Sequence, residues 1–247
     1  MRFLVAVFLV LIATESGFAQ TIDLNNILEQ DQNTYAGRII QGLVLLTVLS
    51  LAPGLLITTT CFTRFVIAFS FLRSGLGLQS TPSNLIVISL ALFMTYFVMA
   101  PVFEDAWKNG INPMLENRIS QEQGLERTAA PFKKFMLAHI REKDLKLFQE
   151  FVSDPGQEVT DVDDLANQEL RTIIPAFLLS EIRKGFEIGF LILLPFLVID
   201  LVVSTLTMSM GMMMLPPTVV SLPFKVLFFV LIDGWNLLVE ELLKSVI

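Results

Sequence analysis

Histidine and cysteine each occur only once in this chain, as His139 and Cys61. A single cysteine excludes a disulfide framework within the chain, and one histidine with one cysteine are too few for a zinc site. An intramembrane hydrolase would need a nucleophile beside a base, but the apolar segments contain no histidine. Neither a phosphate-binding loop nor a metal-binding helix motif is present. The sequence therefore predicts a protein that is not an enzyme and that holds no cofactor or metal.

Charged residues are scarce as well, at 17% of the chain, whereas a soluble domain usually has about one quarter. Hydrophobic residues make up 53%, and phenylalanine alone contributes 21 residues. A soluble core of 247 residues cannot bury this much apolar surface, so the composition predicts an integral membrane protein. The net charge of −7 argues against nucleic acid as a partner.

The first 19 residues have the features of a secretory signal peptide. Arg2 provides the positive start, and the apolar core at 3–12 is too short to span a bilayer. Small residues precede the predicted cleavage between Ala19 and Gln20, which places the mature N-terminus outside the cytoplasm. A short uncleaved anchor is the alternative. Residues 20–38 form a polar N-terminal tail.

Four apolar segments follow, arranged as two hairpins around a polar region. The first hairpin, 39–103, turns at RSGLGLQSTP, and its flanking arginines favour the cytoplasm. Residues 104–185 contain nearly all the charges and are predicted to be helical and periplasmic. The second hairpin, 186–247, returns the C-terminus to the periplasmic side. The predicted fold class is all-α: a polytopic membrane protein with four long apolar helical segments, two helical hairpins and a helical periplasmic insertion, built to oligomerise.

One amphipathic helix is predicted inside the polar region, because apolar residues recur there near a period of 3.6. Pro131 suits its first turn, and the DPG sequence at 154–156 would end it. The apolar residues of this pattern are Phe132, Phe135, Met136, Ile140, Leu147 and Phe151.

Three charged residues, Arg64, Asp200 and Lys225, lie in apolar surroundings. Asp200 shares a helix face with Ser204, Thr207 and Gly211, and such a stripe in a membrane helix faces protein or water. One hypothesis is a proton relay or an ion-paired pore wall. The other is a structural contact to Arg64 or Lys225, which we favour because a relay usually needs further acids or histidines.

Charges at the start of the second hairpin are candidates for subunit contacts. Their spacing allows ion pairs along one helix, and at the edge of a membrane segment they could instead bind a neighbouring subunit. These residues are Glu181, Arg183, Lys184 and Glu187.

A methionine cluster at 208–217 predicts a gate loop. Four of five consecutive residues are methionine, namely Met210, Met212, Met213 and Met214. Methionine is unbranched and adaptable, so several such side chains around a narrow passage would form a soft seal that yields to a polypeptide. Gly211 allows close backbone approach, and Pro216 with Pro217 would break the helix. The alternative is a copper(I) site, since thioether sulfur selects that ion, but such a route usually offers more cysteine or histidine.

Sequence blocks along the chain carry a family likeness. They are LAPG at 51–54, TRF at 63–65, FLR at 71–73, GLQSTP at 77–82, FVMAPV at 97–102, IPAF at 174–177, SEI at 180–182, EIGF at 187–190, PFLVID at 195–200, SMGMMMLPP at 209–217, LPFK at 222–225 and DGWNL at 233–237. In these blocks the chain resembles the family of P subunits of the bacterial flagellar type III export gate, which virulence secretion systems share. The likeness covers almost all of the chain beyond residue 39.

The resemblance implies a function that composition does not. Members of that family work as several copies assembled with the Q and R subunits and other export-gate membrane components, at the flagellar basal body in the inner membrane. They form the entry of a channel for unfolded flagellar proteins, and their methionine loop acts as a gasket, which corresponds to Met210 and Met212–Met214 here. The assembly resembles a helical stack raised toward the periplasm, in which apolar segments bury much of their surface against protein.

Overall fold

The computed structural model describes residues 46–47, 50–51, 53–78, 81–152, 169–211 and 216–247. It divides the chain into two units, Met1–Ala52 and Pro53–Ile247. In the first unit the described residues, 46–47 and 50–51, are helical. The predicted signal peptide, its cleavage between Ala19 and Gln20, and the polar tail lie outside the described residues.

Helices build the second unit, and its described residues contain no strand. This confirms the all-α part of the predicted fold class. In chain order the helices are α1 (Pro53–Thr59), α2 (Phe62–Gly75), α3 (Asn84–Ala106), a π-helical segment (Trp107–Ile111), α4 (Asn112–Leu115), α5 (Gln121–His139), α6 (Glu142–Val152), α7 (Leu170–Ser209), α8 (Pro217–Leu231) and α9 (Gly234–Lys244).

Two described helices are long and apolar enough to cross a membrane: Asn84–Leu115, which begins with α3, and α7. The other apolar segments are bent pairs, α1 with α2 at 83° and α8 with α9 at 65°. If each bent pair counts as one span, the described residues contain up to four. The helices are thus consistent with a membrane protein, while four separate crossings stay a prediction.

Helix α7 is one continuous helix of 40 residues. The boundary predicted between 185 and 186, from polar region to apolar hairpin, therefore falls inside it. At 1.5 Å per residue α7 is about 60 Å long, about twice the hydrocarbon thickness of a bilayer. Its N-terminal half carries the charges at 181–187, and its C-terminal half is apolar apart from Asp200 and short hydroxyl side chains.

The single amphipathic helix predicted around Pro131 is wrong. The structure has two helices, α5 and α6, separated where Ile140 adopts an extended backbone conformation. Helix α5 begins ten residues before Pro131, at the Ser120 N-cap, whose hydroxyl accepts a hydrogen bond from the Gln123 amide at 3.3 Å. Phe151, assigned to the buried face, is 81% exposed. The Ser-x-x-Gln spacing is a helix-start signal in the sequence that the periodicity argument overlooked.

The core lies where α2 packs against α7. Gly185 and Gly189 let the two backbones approach, because a Cβ at Gly189 would lie 2.6 Å from the Phe71 ring. The buried side chains around this contact include Phe65 and Phe69 of α2 and Phe196 of α7. This packing places the C-terminal end of α7 and the start of α8 at one end of the core.

Candidate functional site

The end of α7 presents methionine to the surface. Met208 is 64% exposed and Met210 is 73% exposed. The helix ends with the Met210 amide donating to the Leu206 carbonyl and the Gly211 amide to the Met208 carbonyl, both at 3.1 Å. Gly211 has a φ of +73°, a left-handed conformation that glycine adopts without a steric penalty and that commonly ends helices.

On the other side of the loop, α8 begins at Pro217, after the helix break that the two prolines predict. Pro216 occupies the N-cap with an extended backbone, and Pro217 is the first helical residue, where proline's fixed φ and missing amide hydrogen are compatible with the helix. Met212, Met213 and Met214 lie outside the described residues. Met210, Gly211 and Pro216 therefore define the two ends of the predicted gate loop.

An open apolar groove of about 460 Å³ lies between α7 and α8, next to these ends. Val202, Leu206 and Met210 of α7 line one side, and Phe224 of α8 lines the other. The Thr207 hydroxyl in the groove donates to the Val203 carbonyl at 3.0 Å, so its polarity is satisfied within the helix. The groove therefore presents an apolar surface that continues into the exposed Met210.

Asp200 is paired inside this chain, with Lys225 of α8. The Lys225 Nζ lies 2.6 Å from one Asp200 carboxylate oxygen and also donates to the Gly75 carbonyl at 2.9 Å. The Ser221 hydroxyl donates to the other carboxylate oxygen at 2.6 Å. Lys225 is buried and Asp200 is 32% exposed at its side chain. The pair thus joins α7, α8 and the end of α2, and Ser221 is a partner that the sequence did not reveal.

Arg64 and Glu181 form a second ion pair that is fully buried. The Arg64 Nε donates to one Glu181 carboxylate oxygen at 2.9 Å, and Nη2 donates to the other. The assignment of Glu181 to a subunit contact is wrong, because its carboxylate lies inside the chain. Arg64 lies in the first turn of α2 and is fully buried.

The other three charges in this part of α7 lie closer to solvent. Arg183 is exposed, Lys184 donates to the His139 carbonyl at 3.0 Å, and Glu187 lies 3.7 Å from Arg141. The Glu187–Arg141 pair is long and open to water, so it contributes little to stability. Arg183 and Glu187 remain the charges that a neighbouring subunit could reach.

The last residues of the chain are held by the same polar cluster, which sequence reasoning missed. The Arg64 Nη1 donates to the Ser245 carbonyl at 2.5 Å and to its hydroxyl at 3.0 Å. The His139 Nε2 lies 2.8 Å from the Val246 carbonyl, and its Nδ1 lies 2.8 Å from the Phe135 carbonyl. Main-chain carbonyls have no residue-type signature, so no sequence pattern pointed to these contacts.

Soft metal ligands are not gathered near the methionines in the described part of the chain. Cys61 is buried, and both ring nitrogens of His139 face carbonyl oxygens. Within the described ranges, no group of three or more histidine, cysteine, aspartate or glutamate side chains could hold a metal ion. The copper(I) hypothesis therefore depends on the methionine spacing alone.

Comparisons with known proteins agree with the resemblance in the sequence blocks. A model of the FliP family matches residues 45–242. The chain is 56% identical over 244 residues to flagellar biosynthetic protein FliP of Rhizobium meliloti (strain 1021), covering 98% of both chains. It is also 56% identical over 244 residues to the protein of the same name from Agrobacterium fabrum, covering 99% of this chain and 98% of the relative. With FliP of Bacillus subtilis the identity is 50% over 204 residues, covering 82% and 90%.

Proposed function

The chain belongs to the FliP family of flagellar biosynthetic proteins, and we propose that it forms part of the wall and the methionine seal of the flagellar type III protein export channel. Unfolded flagellar proteins would cross the inner membrane through this channel. The observation that carries the proposal is the exposed methionine end of α7, which continues an apolar groove and leads into a loop bounded by Gly211 and Pro216.

Assembly with further subunits is supported by the apolar surface of α7. Large apolar side chains are exposed along its C-terminal half, from Phe186 to Met208, over about 33 Å, a length close to the hydrocarbon thickness of a bilayer. An exposed apolar surface of this extent marks a contact with lipid or protein, and in the proposed assembly part of it is buried against other copies of the chain, the Q and R subunits and other export-gate membrane components. The exposed residues include Phe186, Phe190, Leu191, Leu197, Leu201 and Leu206.

The seal follows from the chemistry of the exposed side chains. Met208 and Met210 have unbranched thioether chains that adopt many conformations and pack against irregular surfaces. Met212, Met213 and Met214 would join Met210 in a ring when several copies meet. Such a ring excludes water and ions when closed, and its side chains can move aside for a passing polypeptide.

In this mechanism the chain is a passive conduit and performs no chemical step. Asp200 is neutralised by Lys225, and no acid or histidine follows it in α7, whose other acids, Glu181 and Glu187, lie in the N-terminal half. Energy for export would enter through other components of the apparatus. In the proposed orientation the mature N-terminus, residues 104–185 and the C-terminus lie on the periplasmic side, and the loop at 73–82 is cytoplasmic.

Replacing Met210, Met212, Met213 and Met214 together by alanine tests the seal. We expect the assembled complex to conduct small ions while flagellar export persists, because alanine leaves the passage open but does not block it. Conductance is measured on purified complex in planar bilayers. Met114→Ala is the control, since it removes a thioether from α4, outside the proposed loop. Unchanged conductance in an assembled quadruple variant would contradict the seal.

A further inference from the structure

Arg73 carries a positive charge that the described ion pairs do not neutralise. It lies in the last turn of α2, and its Nη1 donates to the side-chain oxygen of Asn84, a neutral group at the start of α3. The sequence from Ser74 to Phe103 contains no charged residue. The acid Asp200 is paired with Lys225, and the contact described for the Asp233 carboxylate, which keeps its charge, is with Asn236 and not with Arg73. An anion at Arg73 would therefore meet an uncompensated guanidinium.

A narrow apolar groove of about 90 Å³ begins beside this guanidinium. Phe69, Ile86 and Leu90 line it together with Trp235 of α9, and Arg73 is also among its lining residues. Trp235 is 45% exposed and its ring packs edge-on against Phe229 at 5.4 Å. Tryptophan is enriched where a membrane protein meets the lipid headgroups, because its ring is apolar and its N–H is polar.

The position of the groove favours lipid over other ligands. Arg73 and Asn84 flank the turn between two apolar helices, which is where such a hairpin reaches the headgroup region. After Asn84, the exposed side chains on the first turns of α3 are apolar, Leu85 and Ile86 among them. A ligand for this place needs a negative headgroup for the guanidinium and a hydrocarbon chain for the groove.

We propose that Arg73 and the groove beside Trp235 form a binding site for an anionic phospholipid. The phosphate contacts the guanidinium of Arg73, and one acyl chain lies along Ile86, Leu90 and Trp235. An arginine next to anionic lipid contributes about 1 kcal/mol, which corresponds to about a five-fold preference for an anionic over a zwitterionic headgroup. This site is separate from the methionine loop and does not depend on the proposed channel.

The chain offers a direct spectroscopic test, because it contains two tryptophans, Trp107 and Trp235. In a Trp107→Phe background, the full chain is reconstituted into phosphatidylcholine nanodiscs that contain a minor fraction of lipid with brominated acyl chains. Bromine quenches tryptophan fluorescence on contact. We expect brominated phosphatidylglycerol to quench Trp235 more than brominated phosphatidylcholine does, by an amount equivalent to about a five-fold local enrichment.

Variants at Arg73 separate binding from folding. Arg73→Gln keeps a donor for Asn84 but loses the charge, so it should abolish the phosphatidylglycerol excess, and Arg73→Lys should retain most of it. Arg118→Gln is the matched control, since Arg118 pairs with Glu116 in the polar region and its loss should leave the excess unchanged. Equal quenching by the two lipids in the parent chain, or an excess that survives Arg73→Gln, would overturn the proposal. So would an equal reduction by Arg118→Gln, which would indicate attraction by overall charge.

Discussion

Arg64 and Lys225 are buried cations, and both make the same two kinds of contact. An acid from α7 neutralises each one, and a main-chain carbonyl accepts a further hydrogen bond from it. Burying a charge is costly unless it is paired and hydrogen-bonded, so these contacts make the buried positions tolerable. Each pair joins helices that are distant in sequence and so fixes how the helices pack.

Arg64→Met should destabilise the chain by about 3–5 kcal/mol, because it leaves Glu181 buried without a partner. Thermal unfolding of the detergent-solubilised protein measures the effect as a lowered Tm. The control is Arg64→Met combined with Glu181→Met, which removes both charges and should recover most of the loss. A double variant as unstable as the single one would contradict the ion-pair explanation.

Asp200→Asn should lower the yield of assembled complex, because Lys225 then keeps its charge in a buried place without a carboxylate. The expected cost is about 1–3 kcal/mol, less than for Arg64 because the Asp200 side chain is partly exposed. Adding Lys225→Met should restore the yield. If Asp200→Asn assembles fully but abolishes export, the residue acts in proton transfer, and the structural interpretation is wrong.

For individual residues, the sequence predicted some of the buried charges and their partners but not all of them. The isolated charges in apolar segments identified Asp200, Lys225 and Arg64 as residues that needed partners, and the contact between Asp200 and Lys225 was one of the alternatives. Glu181 was assigned wrongly because its position at the edge of an apolar segment suggested a contact with a neighbouring subunit. Its real partner, Arg64, is 117 residues away in sequence, and a single sequence contains no information on such pairs.

The contact between α2 and α7 organises the described helices. It depends on glycines at one-turn spacing, Gly185 and Gly189, which face Ile67 and Phe71. Close approach of the two backbones brings Arg64 to Glu181 and allows Phe196 to pack against Gly75. The glycines allow α2 and α7 to pack closely, and the buried Arg64–Glu181 ion pair joins the same two helices.

Gly189→Val should destabilise this contact by about 1–3 kcal/mol, because the new side chain has no room beside Phe71. The readout is Tm together with the yield of folded protein. Gly54→Val is the matched control, since a Cβ at Gly54 would meet no other atom within 4 Å. Phe71→Ala should partly rescue Gly189→Val by opening space. Equal stability of the Gly189→Val and Gly54→Val proteins would contradict the packing argument.

Helix existence was predictable from the sequence, but helix boundaries were not. The charge-free run located α3, and the double proline indicated the break between α7 and α8. The same hydropathy argument divided α7 at the charges near 185, because hydropathy contains no information on their partners in α2 and at the end of α5. In the polar region, periodicity merged α5 and α6, since a helical break at Ile140 leaves the spacing of apolar residues almost unchanged.

The described part of the chain exposes many large apolar side chains, more than a single soluble chain usually exposes to water. In the proposed assembly, membrane lipid and neighbouring subunits would each cover part of this apolar surface. The methionine end of α7 is useful as a seal only if several copies bring their loops together. The central claim is therefore that Met210 lies beside Met210 of other copies around a shared passage.

Cysteine cross-linking tests this claim most directly, because the chain's single cysteine, Cys61, is buried and gives little background. In the Met210→Cys complex, isolated in mild detergent, a short bis-maleimide should join two or more copies, while the parent complex should give no product. If the variant assembles but yields only single chains, and its introduced thiol reacts with lipid-soluble reagents alone, then the methionines face lipid and the proposed seal does not exist.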